Sequence, residues 1–224
     1  MEVKQFIKAD KEVTLYRTVE ADRPLLVYNN FSDDGRRIAE ELEKIFEGRF
    51  NFLNIGNLNW HDDMSPWECP ALYKGEPAFG GGADKYLDIL LSEIIPEALK
   101  ITEGEPERLI ISGYSLAGLF ALYAVTRSDI FDRVSSISGS LWFPGIRDYL
   151  SDNPPGRIPD RIYLSLGDKE ARTKNPMLRQ VQDNTEYLAG HYKNLGIDVT
   201  YELNPGNHFN EAGARTVKGL AAVV

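Results

Sequence analysis

Residues 109–124 read Leu109-Ile110-Ile111-Ser112-Gly113-Tyr114-Ser115-Leu116-Ala117-Gly118-Leu119-Phe120-Ala121-Leu122-Tyr123-Ala124. The opening apolar run has the composition of a buried strand. Residues 116–127 are apolar nearly all round, the signature of a buried helix. Almost no chain is left between the two for a loop. A strand that turns straight into a helix through Gly-x-Ser-x-Ala has the context of a nucleophile elbow, a sharp turn that lifts one side chain above a sheet. Small residues must flank the serine so that strand and helix can approach. Gly113 and Ala117 meet that demand, with alanine where the second glycine is usual, and Gly118 relieves crowding further.

Outward from this turn, strands and helices alternate after an opening hairpin. Strands are expected at 2–8 and 12–18 (joined by Ala9-Asp10-Lys11), 25–28, 50–55, 109–111, 134–138, 161–166 and 199–203. Helices are expected at 34–47, from Ala83 onward, at 116–127, near 176–193 and at 211–222. Residues 56–82 hold Trp60, Trp67, Pro66, Pro70 and Pro77 and read as one long irregular segment. The pattern is α/β: one domain over 1–224, with a mostly parallel eight-stranded sheet and helices on both faces. Ligands of such sheets bind beyond the carboxyl ends of the strands.

A free serine is a poor nucleophile and needs a base and a group to orient that base. His208, in Asn204-Pro205-Gly206-Asn207-His208-Phe209, follows the last strand. Leu166-Gly167-Asp168-Lys169-Glu170 follows the strand before it and offers two carboxylates. Ser115, then an acid, then His208 is the chain order of an elbow-type triad. Two backbone amides should bind the oxyanion. One is Leu116, next after the nucleophile, and the other lies in the loop after the third strand, Tyr28-Asn29-Asn30-Phe31-Ser32.

Together these motifs resemble the Putative esterase family of the α/β-hydrolase superfamily, which takes in esterase D, enterochelin esterases and feruloyl esterases. Residues 113–124, Ser138-Gly139-Ser140-Leu141-Trp142-Phe143-Pro144-Gly145, 163–170 and 205–209 carry the resemblance. Residues 60–67 and 79–84 look like its small siderophore-esterase branch. The resemblance implies a carboxylesterase; the residue roles call for no cofactor, and the chain has no insertion after the sixth strand large enough for a lid. The resemblance makes Glu170, three residues after Gly167, the orienting acid, with Asp168 as the alternative. It makes Phe31 the second oxyanion amide, with Asn30 as the alternative. Acyl transfer from the same residues, or a hydrolase fold retained only for binding, are the other functions open to this sequence.

Tyr114, Trp60, Trp142 and Asp62 are expected to contact substrate. The tryptophans would form an aromatic wall or, equally, a satellite cluster. His61-Asp62-Asp63 would line the cleft and select a cationic or polyhydroxyl group; its spacing matches no standard zinc set, so no metal is expected. His191, near a helix end, suits the helix dipole. Gly80-Gly81-Gly82 lacks the phosphate-binding patterns and reads as a flexible helix entry. With no large insertion in the sheet, 56–82 should shape the mouth of a shallow site open to bulky or polymeric alcohols.

The 224 residues are 42% hydrophobic and 26% charged, an ordinary globular balance. A net charge of −9 disfavours nucleic acid and anionic membrane as partners. The single cysteine, Cys69, excludes an intrachain disulfide. Without an apolar leader in 1–13 or an 18-residue apolar run, the expected location is the cytoplasm. The expected partner is a small-molecule or oligosaccharide ester.

Overall fold

A computed structural model describes residues 1–20 and 22–224. Ten strands form among them. Eight belong to one mostly parallel sheet in the order β1-β2-β4-β3-β7-β8-β9-β10, and two form a separate small ladder. The chain divides into two compact units, Met1–Leu109 with Val224, and Ile110–Val223.

In the first unit, β1 (Glu2–Lys8) and β2 (Lys11–Arg17) form an antiparallel hairpin. Its turn is two residues, not three. Ala9 and Asp10 both have positive φ (45° and 65°), the twist that a two-residue hairpin turn requires, so Lys8 pairs with Lys11. β2 pairs antiparallel with β4 (Asn51–Gly56), and β4 pairs parallel with β3 (Leu25–Asn29). Helix α1 (Gly35–Phe46) buries Ile38, Ala39 and Leu42 and turns its charged residues outward.

Residues 56–82 hold more structure than their composition suggests. A single turn, α2 (Trp60–Asp63), is followed by a two-residue antiparallel ladder of β5 (Glu68–Cys69) and β6 (Phe79–Gly80). Elements this short show no periodicity in sequence. The three glycines are there for close approach, not flexibility. A Cβ on Gly80 or Gly82 would meet the Asp62 carboxylate at 2.2 Å or 2.7 Å, and one on Gly81 the Trp67 backbone at 2.8 Å. The helical stretch that follows runs as α3 (Ala83–Ile89), a π turn at Leu90–Ile94, and α4 (Ile95–Thr102). Pro96 accounts for the interruption, because its ring lacks an N–H and clashes with the carbonyl four residues back.

In the second unit, β7 (Leu109–Tyr114), β8 (Arg133–Ile137), β9 (Arg161–Gly167) and β10 (Asp198–Asn204) pair in parallel, each with the next. Four helices follow them in turn: α5 (Leu116–Arg127), α6 (Ile146–Asp152), α7 (Val181–Asn194) and α8 (Ala212–Ala221). The strand alternation shows which side each covers. Gly118 of α5 packs on Ser136, while Gly219 of α8 packs on Ser135 and Ile137, so helices lie on both faces of this sheet. Helix α6 has no counterpart in the sequence reading; it buries only Ile146 and Leu150, one i, i+4 pair.

Candidate active site

The elbow is built as its residue sizes dictate. Ser115 follows β7 directly, at φ 61° and ψ −123°, a conformation costly for a residue with a Cβ, by roughly 1–3 kcal/mol. Its surroundings hold it there. The Ser115 N–H donates to the Ile137 carbonyl, and the Ser115 carbonyl accepts from the Ser140 N–H, both at 3.0 Å. A Cβ on Gly113 would lie 2.4 Å from that of Ala117, so glycine is required at 113 and a small residue at 117. As the first residue of α5, Leu116 has an N–H with no acceptor inside the helix.

Three strand-end loops bring the remaining groups to this serine. His208 Nε2 lies 3.0 Å from Ser115 Oγ, and His208 Nδ1 lies 2.8 Å from Glu170 Oε2. The imidazole is thus held at both nitrogens. Glu170 is buried, its side chain 5% exposed, while the His208 side chain is 27% exposed. The other carboxylate oxygen of Glu170 accepts the Gly167 N–H at 2.5 Å. Burial pushes the Glu170 carboxyl up. Hydrogen bonding and charge from His208, with the Gly167 amide and Ser138, outweigh burial and hold it below the ordinary carboxylate range.

The competing carboxylate has other work. Asp168 is exposed, and its Oδ1 accepts the Gly206 N–H at 2.8 Å, tying the β9 loop to the loop that carries His208. Two backbone bonds reinforce the tie: Asp168 N–H to Asn204 O at 2.8 Å, and Lys169 N–H to Gly206 O at 3.0 Å. Tyr114, expected to touch substrate, donates its hydroxyl to the His208 carbonyl at 2.6 Å.

The remaining expected residues are spread over both units. In the first, the Asn30 N–H is engaged by the Ile55 carbonyl at 2.8 Å, and its side-chain oxygen accepts the Ser32 N–H at 3.0 Å. The Phe31 side chain between them is 76% exposed and packs against Trp60, ring centres 5.0 Å apart. Asp62 is half-buried against Gly80 and Gly82. The His61 ring lies 5.1 Å from that of Phe79. In the second unit, Trp142 is buried beside Phe143 and lines a cleft of about 420 Å³ with Arg147, Met177 and Gln180. His191 stacks on Tyr187 in the last turns of α7.

Two residues beside the site carried no signal in the sequence reading. Ser140 Oγ lies 3.3 Å from Ser115 Oγ, and buried Arg215 lies 3.4 Å from Glu170 Oε1. Ser140 sits inside a stretch quoted only for resemblance. Arg215 looks like one more cation on an amphipathic helix. Among the described residues, no group of three or more His, Cys, Asp or Glu side chains is arranged to hold a metal, and no helix is long and apolar enough to cross a membrane.

A serine–histidine–carboxylate chain on an elbow at the strand ends of a mostly parallel sheet has the form of an α/β hydrolase. The family described as Putative esterase matches residues 56–211, and the chain belongs to it, which makes it an ester hydrolase by family. The Bacillus subtilis (strain 168) protein YbbA is 26% identical over 181 residues, 75% of this chain and 71% of its own. An IroE-like serine hydrolase from Shewanella oneidensis has a similar fold, at TM-score 0.78 and 16% identity, over 99% of this chain and 79% of that one. So does the siderophore hydrolase EstA from Aspergillus nidulans, at TM-score 0.72 and 19% identity, over 99% and 93%.

Proposed function

We propose that the protein cleaves carboxylic esters through an acyl-enzyme on Ser115. The observation that carries the reading is the continuous chain from Ser115 Oγ through both His208 nitrogens to Glu170, at 3.0 Å and 2.8 Å. Ser115 Oγ attacks the ester carbonyl carbon while its proton passes to His208 Nε2. The carbonyl oxygen, now negative, takes hydrogen bonds from the Leu116 N–H and from a second amide. Each such donor is worth about 3 kcal/mol in the transition state. The bond to the alcohol oxygen then breaks, and His208 returns the proton to the leaving alcohol. Water, deprotonated by the same nitrogen, clears the acyl group. Glu170 orients the imidazole and stabilises its charged form without accepting the proton.

Siderophore esters come first among the substrates to try, because solved structures of this fold include proteins described as siderophore hydrolases and an enterobactin esterase. The deciding experiment compares p-nitrophenyl acetate and butyrate turnover by wild type and Ser115→Ala, with folding matched by circular dichroism. A loss of several orders of magnitude is expected. Equal activity in the two proteins would refute the reading.

A further inference from the structure

Arg215 is buried in α8, its side chain 3% exposed. Such a cation is tolerated only when it is paired and hydrogen-bonded. Its partners come from three separate loops. Nη1 donates to Glu170 Oε1 and to Ser138 Oγ, each at 3.4 Å, and Nη2 donates to the Pro205 carbonyl at 2.8 Å. One planar group therefore touches the acid, the turn after β8, and the loop that ends in His208. The chain makes room for it. A Cβ on Gly167 would lie 3.0 Å from both Nη1 and Nη2 and 2.4 Å from the Gly206 carbonyl.

We propose that Arg215 is a positioning residue of the esterase site: its guanidinium locks the Glu170 carboxylate and the His208 loop into one frame and offsets the carboxylate's charge. The proposal rests on the serine-esterase reading and adds to it a residue that touches neither substrate nor the reacting atoms. A planar fork suits two acceptors at a fixed angle, which a lysine cannot match. The two Glu170 oxygens are thereby divided, Oε1 facing Gly167 and Arg215 and Oε2 facing His208.

The charge has a definite sign of effect. Glu170 is faced by His208, Arg215, Ser138 and the Gly167 amide, with Tyr114 and Tyr201 within electrostatic reach. His208 is faced by Glu170, Ser115 and the Tyr114 and Phe209 rings. Asp168, on the same loop as Glu170, is turned to the Gly206 amide. Without the guanidinium, the carboxylate acts on the imidazole unopposed. The acid limb of activity then moves to higher pH.

The test is the pH profile of kcat/KM for p-nitrophenyl acetate in wild type, Arg215→Met and Arg215→Lys, with folding checked by near-UV circular dichroism. Labelling of wild type and Ser115→Ala with a fluorophosphonate comes first; a failure there condemns the serine reading and is distinct from a failure over Arg215. In R215M the acid limb should move up by about one pH unit, the size of a lost charge at this range in a partly shielded site. In R215K the limb should stay in place while kcat/KM falls about tenfold, the loss of the fork that joins Glu170 to the Pro205 carbonyl. A purely structural arginine would lower activity equally at every pH. A limb unmoved in folded R215M overturns the proposal. If R215M does not fold, R215K decides alone: wild-type kcat/KM, or a limb displaced despite the retained charge, overturns it.

Discussion

The first unit and the second each bury an ion pair, and the two pairs are finished differently. In the first, Lys11 Nζ lies 2.5 Å from Asp63 Oδ2, with side chains 10% and 12% exposed. The same oxygen accepts the Asn59 N–H at 2.8 Å, and the ammonium sits over the Tyr86 ring, 5.7 Å from its centre. Every strong interaction there points inward. In the second, Glu170 and Arg215 are buried more deeply, but Glu170 also holds a histidine that reaches outward to a serine. A buried pair whose partners are all internal makes each charge depend on the other for its place in the fold. One that leaves an oxygen for a half-exposed imidazole contributes, on the proposed mechanism, to chemistry. The contrast predicts that mutations in either pair cost stability, and that only those in the second reach activity.

The largest effect is expected on the chemical side. Glu170→Gln preserves shape but removes the charge that, on the proposed mechanism, orients the imidazole. A fall in kcat/KM of roughly 10³–10⁴ is expected from the comparable change in a serine protease triad. The melting temperature should fall as well, because the buried Arg215 loses its charged partner. If E170Q keeps near wild-type activity, the site works as a serine–histidine pair and the comparison loses its second half.

Lys11→Met should cost stability alone. It strands the Asp63 carboxylate in a buried position, at a cost of roughly 3–5 kcal/mol in urea denaturation. The folded fraction should hydrolyse p-nitrophenyl acetate at the wild-type rate. The double variant Lys11→Met/Asp63→Leu should recover most of the lost stability, since replacing a whole buried pair is near neutral. The lost Asn59 hydrogen bond leaves a deficit of about 1 kcal/mol. If the single variant is as stable as wild type, the pair is no structural anchor.

Acid sharpens the same contrast. The folded-state pKa of Glu170 is depressed below its ordinary 4.5, so its contribution to stability is fully present above that value. The contribution is lost as pH falls through the folded value. Denaturation midpoints of wild type and E170Q should therefore converge as pH drops below about 4.5. Midpoints that stay parallel would mean the carboxylate is not stabilised in the native state.

The sequence carries these two regions with unequal clarity. The β7–Ser115–α5 turn is dense in constraint: an apolar strand, an apolar helix and small residues at 113 and 117 leave one geometry, and the helix runs over 116–127 as read. His208 is visible because it follows the last strand, whereas Glu170 shares its strand-end signal with Asp168 and is preferred only through the family resemblance. Arg215 is invisible because its role depends on three loops meeting, which no local pattern encodes. The 56–82 segment was opaque for a different reason: its elements are two to four residues long, below the period of any repeat. The hairpin slipped by one residue because positive φ at Ala9 and Asp10 lies outside the usual preference of alanine.

The smallest effect expected is also the one that guards the acid assignment. Asp168 lies two residues from Glu170 and was the rival for its role. Its carboxylate accepts one hydrogen bond, from the Gly206 amide, on an exposed surface. Asp168→Asn keeps an oxygen in that position, so it should cost under about 0.5 kcal/mol of stability. Asp168→Ala removes the acceptor and loosens the loop that presents His208, at about 1 kcal/mol. The two backbone bonds between these loops remain in either variant, so the His208 ring should stay in place and kcat/KM should fall by less than about fivefold. Steady-state kinetics on D168N, D168A and E170Q in parallel decide the matter. A D168N loss as deep as that of E170Q would make the charge at 168, not at 170, the one that the imidazole needs.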